Sequence, residues 1–410
     1  MRETFFKKQK TTGDDTKGGS RLIHHPLTRR RFIRHGFIGL SSLALGAYTL
    51  HDFITNDVEG ELKVGFRNDA PKKLWRWSRE ADWYTASGRL IKCTLCPHRC
   101  ILGENDRGFC RTRVVKDGRL YTVAYGNPCA VSMDPIEKKP MYHFLPGTPI
   151  LSIATAGCNL RCRNCQNDSI SQHRPEDTSN ADLMPGPLTE LAVTKNAPSI
   201  AYTYSEPFIY YEYAKDTAIL ARRLRIKNVL VTAGYIMERP LRELVRVSDG
   251  ANVDLKAFNE GVYKKVVGGT LAPVLKTMEV MKAEGLWLEI TRLIVPGLSD
   301  DMSDIKKMCR WIAGTLGPDV PLHFSRFHPA YKLRNLPPTP VTVINNARDI
   351  ARDAGLHYVY VGNIPGHESQ ETVCPQCGQT VIKRQGYQLL FNKLENGNCP
   401  CGHRVPGVWA

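Results

Sequence analysis

Cys158-Asn159-Leu160-Arg161-Cys162-Arg163-Asn164-Cys165 stands directly after a short β-rich run at 150–154 and a turn at Gly157. Thiols two and three residues apart on one loop can converge on a single inorganic centre. A cubane [4Fe–4S] cluster has four iron corners, so three thiolates leave one iron without a protein ligand. A ligand held at that open corner can be reduced by inner-sphere electron transfer. The same loop also reads as a four-ligand electron-transfer cluster borrowing a cysteine from elsewhere, or as a zinc loop. Its place after a strand and ahead of a βα repeat weighs against both.

Outward from this loop, β-rich runs recur at 199–204, 227–232, 251–257, 286–295, 320–327 and 356–361, separated by helical periodicity at 208–224, 241–247, 272–283 and 301–315. Alternation of this kind predicts an α/β fold with a parallel sheet closed or partly closed into a TIM-like barrel. Upstream, 120–125 reads as a strand and Asp134-Pro135 as a turn. With 410 residues, 42% apolar and 23% charged, the composition is globular, enough for one large barrel plus small modules. The net charge is +16, of which +7 falls in residues 1–50. The remaining +9 is ordinary for its length, and nothing else favours a zinc-ribbon nucleic-acid module, so a nucleic-acid partner is not supported.

Eleven of the 13 cysteines form three groups, with Cys129 and Cys309 left over as buried apolar thiols. Cys93, Cys96, Cys100 and Cys110 place four thiols within 18 residues, a closed site for zinc or for a second cluster. Cys374-Pro-Gln-Cys377-Gly378 and Cys399-Pro-Cys401-Gly402 face each other across 21 residues, the pattern of a zinc-ribbon-like or rubredoxin-like site holding zinc or iron. The second knuckle is one residue short of C-x2-C.

Thr28-Arg29-Arg30-Arg31-Phe32-Ile33-Arg34, followed by a mildly apolar run at 37–50, resembles a twin-arginine export signal or anchor. That run has 14 residues against the roughly 20 of a spanning helix. The expected location is periplasmic or membrane-anchored by the N-terminus, and cytoplasmic if the basic segment is only a tail. Expected boundaries are 1–50 for this segment, 51–147 for an N-terminal module with a four-cysteine site, 148–365 for the barrel and 366–410 for the C-terminal four-cysteine ribbon.

From about residue 93 to its end, the chain resembles the radical S-adenosylmethionine (SAM) enzyme family of the AmmeMemoRadiSam system, relatives of pyruvate formate-lyase activating enzymes. The strings that carry this are Cys93-Thr-Leu-Cys96-Pro-His-Arg-Cys100, Asp134-Pro-Ile-Glu-Lys-Lys-Pro-Met-Tyr-His-Phe-Leu-Pro-Gly147, Cys158 to Asn167, Ala201-Tyr-Thr-Tyr-Ser-Glu-Pro207, Asp254-Leu-Lys256, Leu293-Ile-Val-Pro-Gly297, Tyr358-Val-Tyr-Val-Gly-Asn363 and Pro406-Gly-Val-Trp409. The resemblance implies a partial (β/α)6 barrel, a [4Fe–4S] cluster on catalytic Cys158, Cys162 and Cys165, and SAM chelated to its open iron. Reductive cleavage of SAM to a 5′-deoxyadenosyl radical, followed by hydrogen abstraction from substrate, is the implied reaction.

Ser205 and Glu206 match the strand end that meets the SAM amino group. Asp254 and Lys256 match the SAM and substrate side, and strand alternation points both to one face. His328 matches a position near the ribose or carboxylate. Asn164 takes the place of an aromatic beside the adenine, and Ala233 replaces a polar residue in Thr232-Ala-Gly-Tyr235. A low-potential electron donor, association with the system's other proteins, and a protein or peptide substrate are the implied partners, with small molecules and modified nucleic acid still open as substrates. The competing function is an exported iron–sulfur electron-transfer protein without SAM chemistry.

Overall fold

The structure is a computed structural model that describes residues 74–409. The export-type segment and the rest of residues 1–73 lie outside the described residues. No described helix is long and apolar enough to cross a membrane.

Eight strands form one sheet: β1 (Ala130–Pro135), β2 (Pro149–Ala154), β3 (Ser199–Tyr202), β4 (Lys227–Thr232), β5 (Gly250–Asp254), β6 (Trp287–Ile294), β7 (Leu322–Arg326) and β8 (Val359–Gly362). They lie side by side in chain order, with β1 and β8 at the two edges, so the barrel is open. Strands β2 to β8 are parallel, and β1 runs antiparallel to β2. Five consecutive residues of β2 and all four of β3 are buried, as expected for strands covered on both faces. Helices α1 (Pro185–Thr194), α2 (Tyr211–Arg223), α3 (Glu238–Val245), α4 (Leu271–Ala283), α5 (Met302–Trp311) and α6 (Val341–Asp353) fill the crossovers. Local sequence explains their limits. At α5 the Asp301 carboxylate accepts from Ser303 N at 2.7 Å, and Ile305, Met308 and Cys309 form the buried stripe.

The six-fold βα repeat expected from sequence is present, followed by a seventh parallel strand, β8, at the open edge. Asp134-Pro135 departs from expectation, because it ends β1 rather than making a turn. Asp134 pairs with Ile150 and Pro135 with Pro149, and proline is tolerated at the end of an edge strand. The run at 120–125 contributes Arg119–Thr122 to a separate small sheet.

Two small modules cap opposite ends of the sheet. The N-terminal one has two three-stranded antiparallel sheets and docks on α2 through a buried ion pair, where Arg113 Nη2 meets the two Glu212 carboxylate oxygens at 2.8 and 2.9 Å. The C-terminal one is a three-stranded antiparallel sheet lying against the start of the barrel strands. Its Val408 bridges Phe144, Arg384 donates to the Tyr142 carbonyl at 2.7 Å, and Trp409 packs on His143. The segment it covers is fastened underneath by Glu289 on β6, which accepts from Tyr142 N, His143 N, Trp287 Nε1 and His323 Nε2 at 2.7 to 3.0 Å.

Candidate active site

The Cys158–Cys165 loop leaves the C-terminal end of β2, the end at which parallel barrels carry their sites. Gly157 opens it with φ +101, a conformation side chains rarely adopt. The loop is then tied on all sides. Arg161 N and Arg163 N donate to the Val267 and Val266 carbonyls at 2.8 and 3.0 Å, and Asn159 Nδ2 donates to Tyr235 O at 2.7 Å. Lys332 N, beyond β7, donates to Arg163 O at 3.0 Å. A loop fixed this tightly holds its thiols before any ligand arrives.

The three thiols are half-buried, and Leu160 N donates to Cys158 Sγ at 3.3 Å. Burial pushes the Cys158 thiol up, helped by the nearby Glu206 charge, and lifts Cys162 to about 11. Binding iron therefore requires these thiols to release protons into the medium. Their sulfurs do not crowd as ligands of one ion would. The one group of metal-ligating side chains among the described residues whose donor atoms all lie within 4.8 Å of one another is Cys374, Cys377, Cys399 and Cys401.

Glu206 lies just past β3 and is buried. Its carboxylate accepts from Thr232 Oγ1 at 2.5 Å, Ala233 N at 2.9 Å and Phe208 N at 3.4 Å, so it caps the short helix Pro207–Tyr210 while facing the cysteine loop. Burial raises its pKa to about 7 despite these donors. Ser205 donates its hydroxyl to Thr155 O at 2.7 Å. Asp254 ends β5 and accepts from Lys256 Nζ at 2.7 Å. Burial works against the Lys256 charge, yet Asp254 and then Cys162 hold its pKa above the usual lysine range, which brings this pair to the same mouth.

Asn164 is half-buried within the cysteine loop, and no described contact ties it to the other site residues. His328 is exposed past the end of β7, its Nε2 3.4 Å from the Asn363 carbonyl, and shares only the end of the sheet with them. Cys309 is buried as expected, whereas Cys129 is half-buried and its thiol faces the Ala154 carbonyl at 3.5 Å.

Three supporting residues escape sequence reasoning. Arg292, buried on β6, donates to the Lys256 carbonyl and, at 2.7 Å, to the Ser299 carbonyl, so it shapes the Asp254–Lys256 strand end. A charge inside an otherwise apolar strand was the available signal. Asn167 Nδ2 donates to the Tyr204 carbonyl at 2.8 Å, and Tyr204 has φ +62 although it is not glycine.

Residues 152–312 match the model of the radical SAM superfamily. An uncharacterised protein of Methanocaldococcus jannaschii, MJ0808, is 43% identical over 331 residues, covering 80% of this chain and 98% of that one. The chain belongs to the radical SAM superfamily. Pyruvate formate-lyase 1-activating enzyme of Escherichia coli K12 is 25% identical over 149 residues, which cover 35% of this chain and 61% of that enzyme. The crystal structure of a radical SAM methyltransferase from Sphaerobacter thermophilus aligns with TM-score 0.42 and 14% identity over 73% of this chain and 79% of that one. Membership of this superfamily implies a [4Fe–4S] cluster and SAM as cofactors.

The C-terminal four-cysteine group fits a single ion. Cys374 and Cys401 sulfurs are 3.8 Å apart and Cys377 and Cys399 sulfurs 3.6 Å. Tetrahedral bonds of about 2.3 Å put neighbouring sulfurs about 3.8 Å apart. The shortened second knuckle therefore still closes the site. The backbone N–H of His403 is the largest influence lowering the Cys401 thiol, to about 7, which readies it to bind as thiolate.

Proposed function

We propose that Cys158, Cys162 and Cys165 hold the [4Fe–4S] cluster, that SAM lies between this loop and Glu206, Asp254 and Lys256, and that the enzyme takes hydrogen from a peptide or protein substrate at the open barrel mouth. The observation that carries this reading is the convergence of Glu206 and Lys256 on the cysteine loop at the C-terminal ends of β2, β3 and β5. When bound, the cluster and SAM supply one-electron reductive cleavage to a 5′-deoxyadenosyl radical.

The chain's own residues position and shield that chemistry. Thr232 and Ala233 fix the Glu206 carboxylate so that its remaining lone pairs face the loop and accept from an ammonium donor. Ser205, whose hydroxyl is held by the Thr155 carbonyl, stands beside Glu206 at the same strand end. Lys256 offsets the negative charge gathered by the thiolates, and Asp254 keeps that lysine charged. His328 and Asn164 are assigned as outer contacts to the same cofactor.

The order of the matching strings supports placing the chain in the AmmeMemoRadiSam family, and kinship with glycyl-radical activators supports a macromolecular substrate. Zinc in the C-terminal four-cysteine group and twin-arginine export of the folded, cluster-loaded enzyme complete the reading. Anaerobically reconstituted protein with a strong reductant and SAM should release 5′-deoxyadenosine, and Cys158→Ala should abolish it. Continued release from that variant overturns the assignment. Deuterium exchange between solvent and candidate peptides then identifies the substrate.

A further inference from the structure

Cys93, Cys96, Cys100 and Cys110 line one pocket together with Leu95, Phe109, Ile209, Asn159 and Arg113. No three of these sulfurs lie within 4.8 Å of one another, in contrast to the Cys374 group of the same chain. Thiolates sharing one zinc ion must crowd to about 3.8 Å, whereas thiolates on separate irons of a cubane stand farther apart. The Cys158 trio, assigned to a cluster above, likewise lacks three sulfurs within 4.8 Å of one another.

Arg113 supplies an independent observation. Its side chain is fully buried and Nη2 is taken by Glu212, yet Nε and Nη1 have no partner in the protein. Buried guanidinium N–H groups left without acceptors are costly, and they border a cavity whose other walls are thiols and hydrocarbon. Sulfide and thiolate sulfurs of a bound cluster would accept from them. Phe109 N already points at Cys100 Sγ at 3.5 Å, and Thr112 Oγ1 lies 3.3 Å from Cys110 Sγ, the outer hydrogen bonds that tune such centres.

We propose that these four cysteines bind a second [4Fe–4S] cluster that relays electrons to the cluster of Cys158, Cys162 and Cys165. The relay rests on the function proposed above, and the cluster itself does not. The path is short. Asn159, the residue after Cys158, is itself a wall of the cavity, and His98, between Cys96 and Cys100, is 2.7 Å from the Asn159 carbonyl. One electron from a low-potential one-electron carrier protein takes the second cluster from the 2+ to the 1+ state. Transfer onward returns it to 2+ and reduces the Cys158 cluster by one, with no bond made or broken and no proton moved.

The test uses the full chain, reconstituted anaerobically with iron and sulfide. Acid-labile sulfide ignores single-ion sites, so about eight sulfides per chain support two cubanes and about four, with two bound zinc ions, overturn the second. The triple variant Cys158→Ala/Cys162→Ala/Cys165→Ala should keep about four sulfides and a reduced-cluster paramagnetic signal indifferent to SAM. Complete loss of sulfide from a folded triple variant overturns the proposal. If wild type contains both clusters but no signal responds to SAM, the function proposed above fails while the second cluster stands. Cys93→Ala/Cys96→Ala should keep the SAM-responsive signal and slow its reduction by the carrier at least tenfold; an unchanged rate overturns the relay.

Discussion

A β-carbon on Gly157 would stand 2.6 Å from the carbonyl oxygen of Cys110, a contact that side chains do not tolerate. The glycine that opens the Cys158 loop is therefore also the place where the N-terminal cysteine module meets the barrel. Its φ of +101 adds conformational strain to any replacement.

Gly157→Ala should thus cost about 3 kcal/mol of stability from strain and displaced backbone together. The displacement separates the two cysteine loops, so cluster content should fall as well. Denaturant titration alongside iron analysis checks both. A variant with wild-type stability and full iron content would show that the two loops are not wedged together.

Glu212 is buried opposite Arg113 in a two-pronged ion pair. Removing one member of such a pair leaves a buried charge uncompensated, at roughly 3–5 kcal/mol. Glu212→Ala should therefore be strongly destabilising, and Arg113→Met/Glu212→Leu should recover most of that loss. Equal losses in the single and double variants would mean that packing on α2, not the charge, matters at this position.

For SAM itself, Glu206→Gln keeps the shape of the side chain and the oxygen that accepts from Ala233 or Thr232, but removes the carboxylate. A lost charge-assisted hydrogen bond of roughly 1.5–3 kcal/mol corresponds to about 10- to 100-fold weaker SAM binding. Cluster content should be unchanged. The measurement is the SAM concentration that half-shifts the signal of the reduced cluster, compared between wild type and variant.

Which of these features were legible beforehand follows from how far each interaction reaches along the chain. The thiols of Cys158, Cys162 and Cys165 share a loop, so spacing alone brings them together. Strand β4 reads correctly as 227–232 because its apolar run is short and bounded. By contrast, Leu356 and Tyr358 are apolar but precede β8, whose ladder begins at Val359. Asp134-Pro135 looks like a turn only until Ile150 and Pro149 arrive as strand partners. Arg113, Arg292 and Glu289 carry charges into the interior because their partners come from distant segments, and no local pattern announces that. The same limit left zinc and a cluster unresolved for Cys93, Cys96, Cys100 and Cys110, since ligand spread depends on the fold.

The C-terminal four-cysteine group lies against the start of the barrel strands, away from the mouth that carries Cys158. Stripping its ion with a chelator, or replacing Cys374 with Ser, should lower thermal stability while the remaining folded protein cleaves SAM at an unchanged rate. Calorimetry and 5′-deoxyadenosine release, normalised to folded protein, separate the two effects. A proportional loss of turnover would place this ion on the electron path instead.

Acid should loosen the same end of the barrel. His143 is fully buried; its Nδ1 donates to Pro406 O at 2.7 Å and its Nε2 accepts from the Tyr360 hydroxyl at 2.6 Å, an arrangement that requires the neutral ring. Burial, reinforced by Arg384 and His323 and opposed by Glu289, lowers its pKa from 6.5 to about 4. The unfolded chain takes up this proton near pH 6.5 and the folded chain does not until about 4, so the linked stability is complete above 6.5 and lost as pH falls toward 4. Glu289 acts in the same sense lower down. Burial would raise it, but His323 and the surrounding donors leave it below the usual carboxylate value, so its contribution holds above about 4.5 and fades as pH falls further. Between pH 7 and 5, His143 alone accounts for roughly 2 kcal/mol. His143→Gln should be less stable than wild type at pH 7 yet lose less on going to pH 5, as read from urea midpoints. Cluster damage by acid is common to both proteins, so only the difference in their pH slopes reports on His143, and parallel slopes would remove it as the titrating group.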